Sequence, residues 1–146
     1  MMEIRTVGII GTGTMGLGIA QVCAQSGFNV IAVKATPGSW EKAKASLEGG
    51  LNKSVERGKM AAADRDALVG RITFTTDERA VADCDLIIES IIEDLQTKKD
   101  LFRRLEAICR PDTLLCTNTS TLSVTAMMAV CKHRSRVAGL HFFNPA

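Results

Sequence analysis

Residues 9–20 read IIGTGTMGLGIA, and this glycine-rich stretch decides the fold. Gly11, Gly13 and Gly16 have the Gly-x-Gly-x-x-Gly spacing of a dinucleotide-binding turn. In such a turn the first glycine allows a sharp bend and the second lets the backbone approach a pyrophosphate. The third lets the following helix pack closely on the strand. The alternative is a turn whose glycines serve packing alone.

The context of the turn favours dinucleotide binding. The apolar run Thr6–Ile10 before it is typical of a buried strand. After it, small and apolar residues recur at the spacing of a helix from Met15 to Ser26. A helix that begins directly after the turn presents free N–H groups and a partial positive charge to phosphates. The predicted coenzyme-binding residues of this segment are Gly11, Gly13, Thr14, Met15 and Gly16.

Short β-branched runs alternate with longer helical patterns along the whole chain. The predicted strands cover residues 6–10, 30–33, 72–75, 85–89, 114–117 and 136–142. The predicted helices cover residues 15–26, 39–57, 61–69, 122–130 and a segment that ends before residue 111. Thr36 and Pro37 are expected to start the helix 39–57.

This alternation implies parallel strands joined by right-handed crossovers. The predicted fold class is therefore α/β: a Rossmann-like, doubly wound, mostly parallel sheet of six or more strands with helices on both faces. Its ligand crevice is expected at the carboxyl ends of the strands. We interpret residues 1–146 as one dinucleotide-binding domain.

Composition excludes several function classes. The formal net charge of +2 is too small to indicate a nucleic-acid or membrane-surface partner. No apolar run reaches the ~20 residues of a membrane helix, and no signal peptide is apparent. Five cysteines without a Cys-x-x-Cys pair are interpreted as reduced core residues of a cytoplasmic protein, and no spacing predicts a metal site.

Lys34 follows the second predicted strand, where a dinucleotide site usually has an acid that binds the ribose hydroxyls. No Asp or Glu occurs between Glu3 and Glu41. A lysine attracts a 2′-phosphate and cannot accept a hydrogen bond from a hydroxyl. One interpretation is therefore NADP(H) binding, or relaxed use of both coenzymes; the other is a solvated Lys34 in a site that binds NAD without an acid.

Three polar segments, residues 89–99, 116–123 and 139–146, lie at predicted strand ends and should open onto the crevice. The last two read CTNTSTLS and GLHFFNPA. His141 ends a strand, and a histidine at the rim of a nucleotide crevice is suited to proton transfer.

Through these motifs the chain resembles the 3-hydroxyacyl-CoA dehydrogenase family over its whole length, from GTGTMGLGIA through NTSTL to GLHFFNPA. The resemblance implies interconversion of an L-3-hydroxyacyl-CoA and its 3-oxo form, with NAD as the usual coenzyme and NADP in some bacterial members. It implies fatty acid or butanoate metabolism as the setting.

The resemblance also implies roles for individual residues. His141 would be the general base, and Ser120 and Asn144 would hold the substrate oxygen and carbonyl. The further residues implied to contact the coenzyme are Glu93, Lys98 and Asn118. Lys53 and Arg57 are weaker candidates for binding the CoA nucleotide. Ser120 could instead cap a helix, Asn144 could be a turn residue, and Glu93 could be a plain helix N-terminal acid.

The sequence departs from the family pattern in two ways. Lys34 stands where the family usually has an acid. A glutamate that orients the histidine and a helical substrate and dimerisation domain are expected after residue 146, outside this chain, so that the whole protein would be a homodimer. We therefore expect this chain alone to bind coenzyme and to turn over an acyl-CoA poorly or not at all. Two alternatives are a related hydroxy-acid dehydrogenase and a non-catalytic nucleotide-binding module.

Overall fold

A computed structural model describes residues 2–146 and contains one six-stranded sheet. The strands are β1 (Thr6–Ile10), β2 (Asn29–Val33), β3 (Ile72–Thr75), β4 (Leu86–Glu89), β5 (Leu114–Thr117) and β6 (Val137–Gly139). Every neighbouring pair is parallel, and the strand order is β3-β2-β1-β4-β5-β6. The order reverses between β1 and β4, which is where a doubly wound sheet opens its ligand crevice. The predicted fold class is confirmed.

The helices that connect these strands cover both faces of the sheet. They are α1 (Thr14–Gln25), α2 (Glu41–Glu56), α3 (Ala62–Gly70), α4 (Leu95–Ile108) and α5 (Val124–Met128), with short 3-10 helices at Glu78–Val81 and Arg134–Arg136. Within residues 2–146, none of these helices has the length and apolarity needed to cross a bilayer.

Each face of the sheet has its own hydrophobic core. One core packs α1, α2 and α3 against the sheet, with Ile19, Leu47 and Leu68 as buried members. The other packs α4 and α5 on the opposite face, with Phe102 and Met127 as buried members. The five cysteines are free and buried and divide between the two cores, which confirms their interpretation as core residues.

Three sequence-based boundaries are wrong. Helix α2 begins at Glu41 rather than near Thr36 and Pro37, because the carbonyl groups of those two residues bind the Lys34 ammonium and Gly38 has φ of +100°. That backbone conformation cannot continue a right-handed helix.

The predicted helix 122–130 and strand 136–142 are each longer than the elements observed. Ser123 has an extended backbone, with ψ of 111°, and its hydroxyl accepts the Ala126 N–H, so helix α5 starts only at Val124. Strand β6 covers Val137–Gly139 alone, because the Phe142 N–H binds the Asn118 side chain instead of a strand.

Asp85 joins the amino ends of the central strands. One of its carboxylate oxygens accepts the backbone N–H groups of Arg5 and Thr6, at 2.8 and 2.9 Å. The other is 2.8 Å from the Arg110 guanidinium. The Arg110 hydrogen bond, helped by the two backbone groups, lowers the pKa of Asp85 to about 2. Its charged form therefore stabilises the junction of β1, β4 and the segment that leads to β5.

We expect Asp85→Asn to lower the free energy of unfolding by about 1–2 kcal/mol at pH 7, a value reduced for solvent screening. Because folding lowers the pKa, this stabilisation is present above the ordinary value of 3.8 and is lost as the pH falls towards about 2. Urea unfolding at several pH values measures the difference. Asp83→Asn, at an exposed neighbouring position, is the control. If the difference in the free energy of unfolding between wild type and Asp85→Asn stayed constant down to pH 2, the stabilising role of the charged Asp85 would be contradicted.

Candidate functional site

A cavity of about 930 Å³ opens at the carboxyl ends of the central strands. Its volume is near the upper end of the range of small-molecule sites. It is lined by the glycine turn, the segment after β2, one face of α2 and the segment after β4. Its lining includes Gly13, Thr14, Lys34, Ser46, Ile91 and Arg104. A ligand in this cavity would therefore touch both halves of the sheet.

The three glycines of the turn differ in what surrounds them. A Cβ atom on Gly11, which has φ of +111°, would lie 2.2 Å from the Ser90 carbonyl oxygen. A Cβ atom on Gly16 would lie 1.9 Å from the Gly11 carbonyl oxygen. A Cβ atom on Gly13 would meet nothing within 4 Å and would project into open space beside the cavity. The protein itself therefore requires Gly11 and Gly16, whereas Gly13 leaves room for a ligand.

This arrangement fits the diphosphate of a dinucleotide. Thr14 begins helix α1 and is exposed in the cavity lining, so the helix N-terminus faces the space that Gly13 leaves open. No acidic residue lies in the first turn of α1 to compete for its N–H groups. Met15 is half-buried one residue further along the helix.

Lys34 lines the cavity but its ammonium is engaged within its own loop. It donates to the Thr36 carbonyl at 2.8 Å, the Thr36 hydroxyl at 2.6 Å and the Pro37 carbonyl at 2.7 Å. These three bonds use all three ammonium protons. A 2′-phosphate would have to replace at least one of them.

A buried charged cluster lies below the second half of the site. The Lys98 ammonium is 2.8 Å from the Glu89 carboxylate and 3.2 Å from that of Glu93. The side chains of Glu89 and Lys98 are 0% and 2% exposed, and that of Glu93 is 44% exposed. Glu93 is thus the member of the cluster that faces solvent.

Threonine hydroxyls hold both carboxylates of this cluster. The Thr117 hydroxyl donates to Glu89 at 2.6 Å, and the Thr119 hydroxyl donates to Glu93. Burial raises the pKa of Glu93, but the hydrogen bonds from Thr119 and Lys98 outweigh it and hold the pKa below its ordinary value. The exposed carboxylate is therefore ionised near neutral pH.

Asn118 connects three loops at the edge of the crevice. Its backbone N–H binds the Glu89 carbonyl at 2.9 Å. Its side-chain nitrogen lies 3.3 Å from the Ser90 hydroxyl, and its side-chain oxygen accepts the Phe142 N–H at 2.7 Å. The residue after His141 is thereby tied to the ends of β4 and β5.

The three predicted catalytic residues are exposed on the loops after β5 and β6. Ser120 is not the cap of α5, since Ser123 fills that position. The His141 ring packs against Phe143, with 5.0 Å between centroids. Asn144 is exposed and precedes a cis peptide bond to Pro145. Their roles stay predictions.

The predicted coenzyme contacts Glu93, Lys98 and Asn118 belong to the hydrogen-bonded network of the two strand ends. Glu93 does not cap helix α4, because the Asp94 carboxylate accepts the Thr97 N–H at 2.8 Å and fills that position. Lys53 and Arg57 are exposed at the end of α2, beyond Gly50, the last residue of that helix that lines the cavity. A contact between these two residues and CoA stays a prediction.

Sequence reasoning missed Glu89, Thr117 and Thr119. The available signal was an acidic residue at the end of the apolar run LIIE, where a buried strand should carry no unpaired charge. Each threonine lies 26 to 28 positions from the carboxylate that it binds, so local spacing did not indicate these hydrogen bonds.

The fold and the cavity define a dinucleotide-binding domain. The family described as "3-hydroxyacyl-CoA dehydrogenase, NAD binding domain" matches residues 6–146. The chain belongs to this family.

Two relatives illustrate the similarity. The chain is 44% identical over 146 residues to 3-hydroxyadipyl-CoA dehydrogenase of Escherichia coli (strain K12), covering 100% of this chain and 31% of that protein. It is 42% identical over 137 residues to 3-hydroxybutyryl-CoA dehydrogenase of Clostridioides difficile, covering 94% and 49%. The chain thus spans half or less of the length of these relatives.

A solved structure gives the same result for the fold. The crystal structure of 3-hydroxybutyryl-CoA dehydrogenase from Escherichia coli K12 superposes with a TM-score of 0.95 at 44% identity, over 99% of this chain and 31% of that one. The names of these two relatives differ in their acyl group.

We expect Gly13→Ala to weaken NADH binding by about tenfold or more while leaving the free energy of unfolding within about 0.5 kcal/mol of wild type. Its methyl group would occupy the space that the diphosphate needs, without touching the protein. Fluorescence titration and urea unfolding measure the two quantities.

Two glycine variants are controls for this experiment. Gly16→Ala should destabilise by about 3 kcal/mol or more, because its methyl group would meet the Gly11 carbonyl. Gly49→Ala, in α2 with open space around its Cβ position, should leave NADH binding unchanged. Normal NADH affinity in Gly13→Ala would exclude a diphosphate at this turn.

Proposed function

We propose that this chain is the coenzyme-binding part of an oxidoreductase that interconverts an L-3-hydroxyacyl-CoA and a 3-oxoacyl-CoA. One observation carries the proposal: the glycine turn with its open Gly13 position shares a sheet edge with the loops that bear Ser120, His141 and Asn144. Family membership supports the same reaction class. The bound coenzyme would supply the hydride acceptor or donor.

In this proposal the chain's residues bind, orient and move a proton. His141 takes the hydroxyl proton in the oxidative direction and returns it in the reductive direction. Ser120 and Asn144 donate hydrogen bonds to the reacting oxygen and the thioester carbonyl, which stabilises charge that develops on oxygen. Glu93 accepts a hydrogen bond from the ribose of the nicotinamide half. Lys53 and Arg57 remain proposed contacts of the CoA nucleotide.

Exposed apolar side chains near the proposed catalytic residues support a further covering domain. Phe143 is 80% exposed, Ile92 is 64% exposed and Leu140 is 38% exposed. Side chains of this kind are usually covered by another surface. We propose that the helical domain expected after residue 146 covers them and forms a homodimer, and that the free buried cysteines suit a cytoplasmic location.

For the coenzyme we propose NAD(H), with weak discrimination against NADP(H). Lys34 uses its ammonium protons within its own loop, so it must give up a hydrogen bond before it can bind a 2′-phosphate. No Asp or Glu occurs between Glu3 and Glu41, so the segment after β2 holds no carboxylate that would repel one, and the Glu78 carboxylate in the cavity lining is paired with Arg104. NADP(H) remains the second candidate, because the three bonds of Lys34 are exchangeable at a half-exposed position.

The coenzyme proposal is tested by titrating the chain with NADH and NADPH in parallel. Lys34→Asp should weaken NADPH binding by about tenfold or more, because it replaces an attractive charge with a repulsive one. NADH binding should change by less than about threefold. Lys59→Asp makes the same charge change at an exposed position outside the cavity lining and should alter neither affinity. If Lys34→Asp changed the affinities for NADH and NADPH by equal factors, Lys34 would play no part in discriminating between the two coenzymes.

The reaction proposal is tested with acetoacetyl-CoA and NADH. We expect the 146-residue chain to bind NADH and to show no steady-state oxidation of it, because the exposed His141 site cannot exclude water. Absorbance at the NADH band measures the rate, with His141→Gln as the control. A clear rate from the wild-type chain that His141→Gln abolishes would show that this chain alone completes the site. Failure to bind NADH would favour a function outside coenzyme-dependent catalysis.

A further inference from the structure

The buried cluster of Glu89, Lys98 and Glu93 carries an inference about coenzyme redox state. We propose that Glu89 is a positioning residue that neutralises Lys98 and thereby leaves the Glu93 charge available to the crevice. That charge favours the oxidised coenzyme, whose nicotinamide ring is cationic, over the reduced coenzyme, whose ring is neutral. The inference rests on the proposed function, because it takes NAD(H) as the ligand.

The geometry makes Glu89 the principal partner of Lys98. Their charged atoms are 2.8 Å apart and both side chains are excluded from solvent, whereas the contact of Lys98 with Glu93 is 3.2 Å. Glu89 is also held by the Ile91 N–H at 2.9 Å and the Thr117 hydroxyl at 2.6 Å. Both of its oxygens are therefore occupied, and the side chain cannot turn away from Lys98.

The charges of the cluster sum to one negative charge. Glu89 and Lys98 cancel each other, and Glu93 supplies the remainder from a side chain that is 44% exposed. Thr119 donates a hydrogen bond to Glu93 and accepts one from the Leu122 N–H at 3.0 Å, which fixes the carboxylate against the loop that carries Ser120. The residual charge is thus held in a defined place.

The cluster lies in the half of the fold that receives the nicotinamide. In a doubly wound sheet, each half, β1–β3 and β4–β6, binds one mononucleotide of the coenzyme. The glycine turn and Lys34 belong to the first half, and the cluster belongs to the ends of β4 and β5 and the start of α4. A negative charge there acts on the ring that differs between the two coenzyme forms.

Removal of the Glu89 charge would change both the net charge of the cluster and the position of Glu93. Glu93 would become the single carboxylate partner of the buried Lys98 ammonium and would be drawn inward. The cluster would become neutral, and the preference for the cationic ring would fall. Glu89→Gln keeps the shape of the side chain, because its amide oxygen can face Lys98 while its amide nitrogen faces the Thr117 hydroxyl.

The experiment compares the affinities of NAD⁺ and NADH for the chain at low salt. NADH is titrated by fluorescence, and NAD⁺ is titrated by displacement of NADH. In Glu89→Gln we expect the ratio of the NAD⁺ to the NADH dissociation constant to rise about three- to tenfold over wild type. A destabilised fold would weaken the binding of NAD⁺ and NADH alike and would not change this ratio.

Three further variants separate charge from structure. Thr117→Val removes a hydrogen bond to Glu89 without changing any charge and should leave the ratio within about twofold of wild type. Glu89→Gln combined with Lys98→Met restores one net negative charge and should return the ratio towards wild type. Glu93→Gln, at an exposed position, should raise the ratio as Glu89→Gln does and keeps the test available if the buried variant does not fold.

The outcomes distinguish this proposal from the function on which it rests. An unchanged ratio in both Glu89→Gln and Glu93→Gln would overturn the proposal while leaving coenzyme binding intact. A Thr117→Val effect as large as that of Glu89→Gln would overturn it as well, because charge would then not be the cause. A wild-type chain that binds neither coenzyme form would overturn the proposed function and this inference together.

Discussion

At Gly16, helix α1 approaches the backbone of the turn before it too closely for a side chain to fit. A Cβ atom on Gly16 would come within 1.9 Å of the Gly11 carbonyl oxygen, and one on Gly11 would come within 2.2 Å of the Ser90 carbonyl oxygen. These approaches lock β1, α1 and the segment after β4 into one arrangement with no adjustable side chain between them. Since β1 and β4 are the neighbours at which the strand order reverses, the shape of the crevice depends on these contacts.

The two halves of the site are built from different interactions. The first half uses bare backbone and a helix N-terminus, which bind an anion without a charged side chain. The second half uses a buried ion pair whose remaining hydrogen-bonding capacity is satisfied by threonine hydroxyls and a backbone N–H. A buried charge that loses its partner costs about 3–5 kcal/mol, so Glu89 and Lys98 are strongly interdependent. The hydrogen bond between Glu89 and Thr117 therefore joins the ends of β4 and β5 around this ion pair.

Local patterns in the chain were sufficient to predict the strands, the glycine turn, the strand-end segments and the fold class. They failed where a side chain captured a backbone group. Lys34 binds the carbonyls that Thr36 and Pro37 would have used in a helix. Asn118 likewise takes the N–H group of Phe142, which shortens β6. Such captures depend on side chains that only the folded chain brings within reach.

The coenzyme contact that the resemblance implies for Lys98 stays a prediction. Its ammonium is buried between Glu89 and Glu93 rather than free, and the sequence did not indicate this pairing. The sequence also gave no indication that Asn118 would join the loops after β4 and β6.

By itself, the sequence determined the parallel α/β architecture, the position of the glycine turn and the edge of the sheet at which polar groups collect. Hydrophobic period and glycine spacing encode these features, and both act over a few residues. The tertiary structure alone decided which groups satisfy the buried ion pair of Glu89 and Lys98, because Thr117 lies 28 positions from Glu89 and meets it only when β4 and β5 align. Electrostatic pairing depends on distance in space, which the order of residues does not specify.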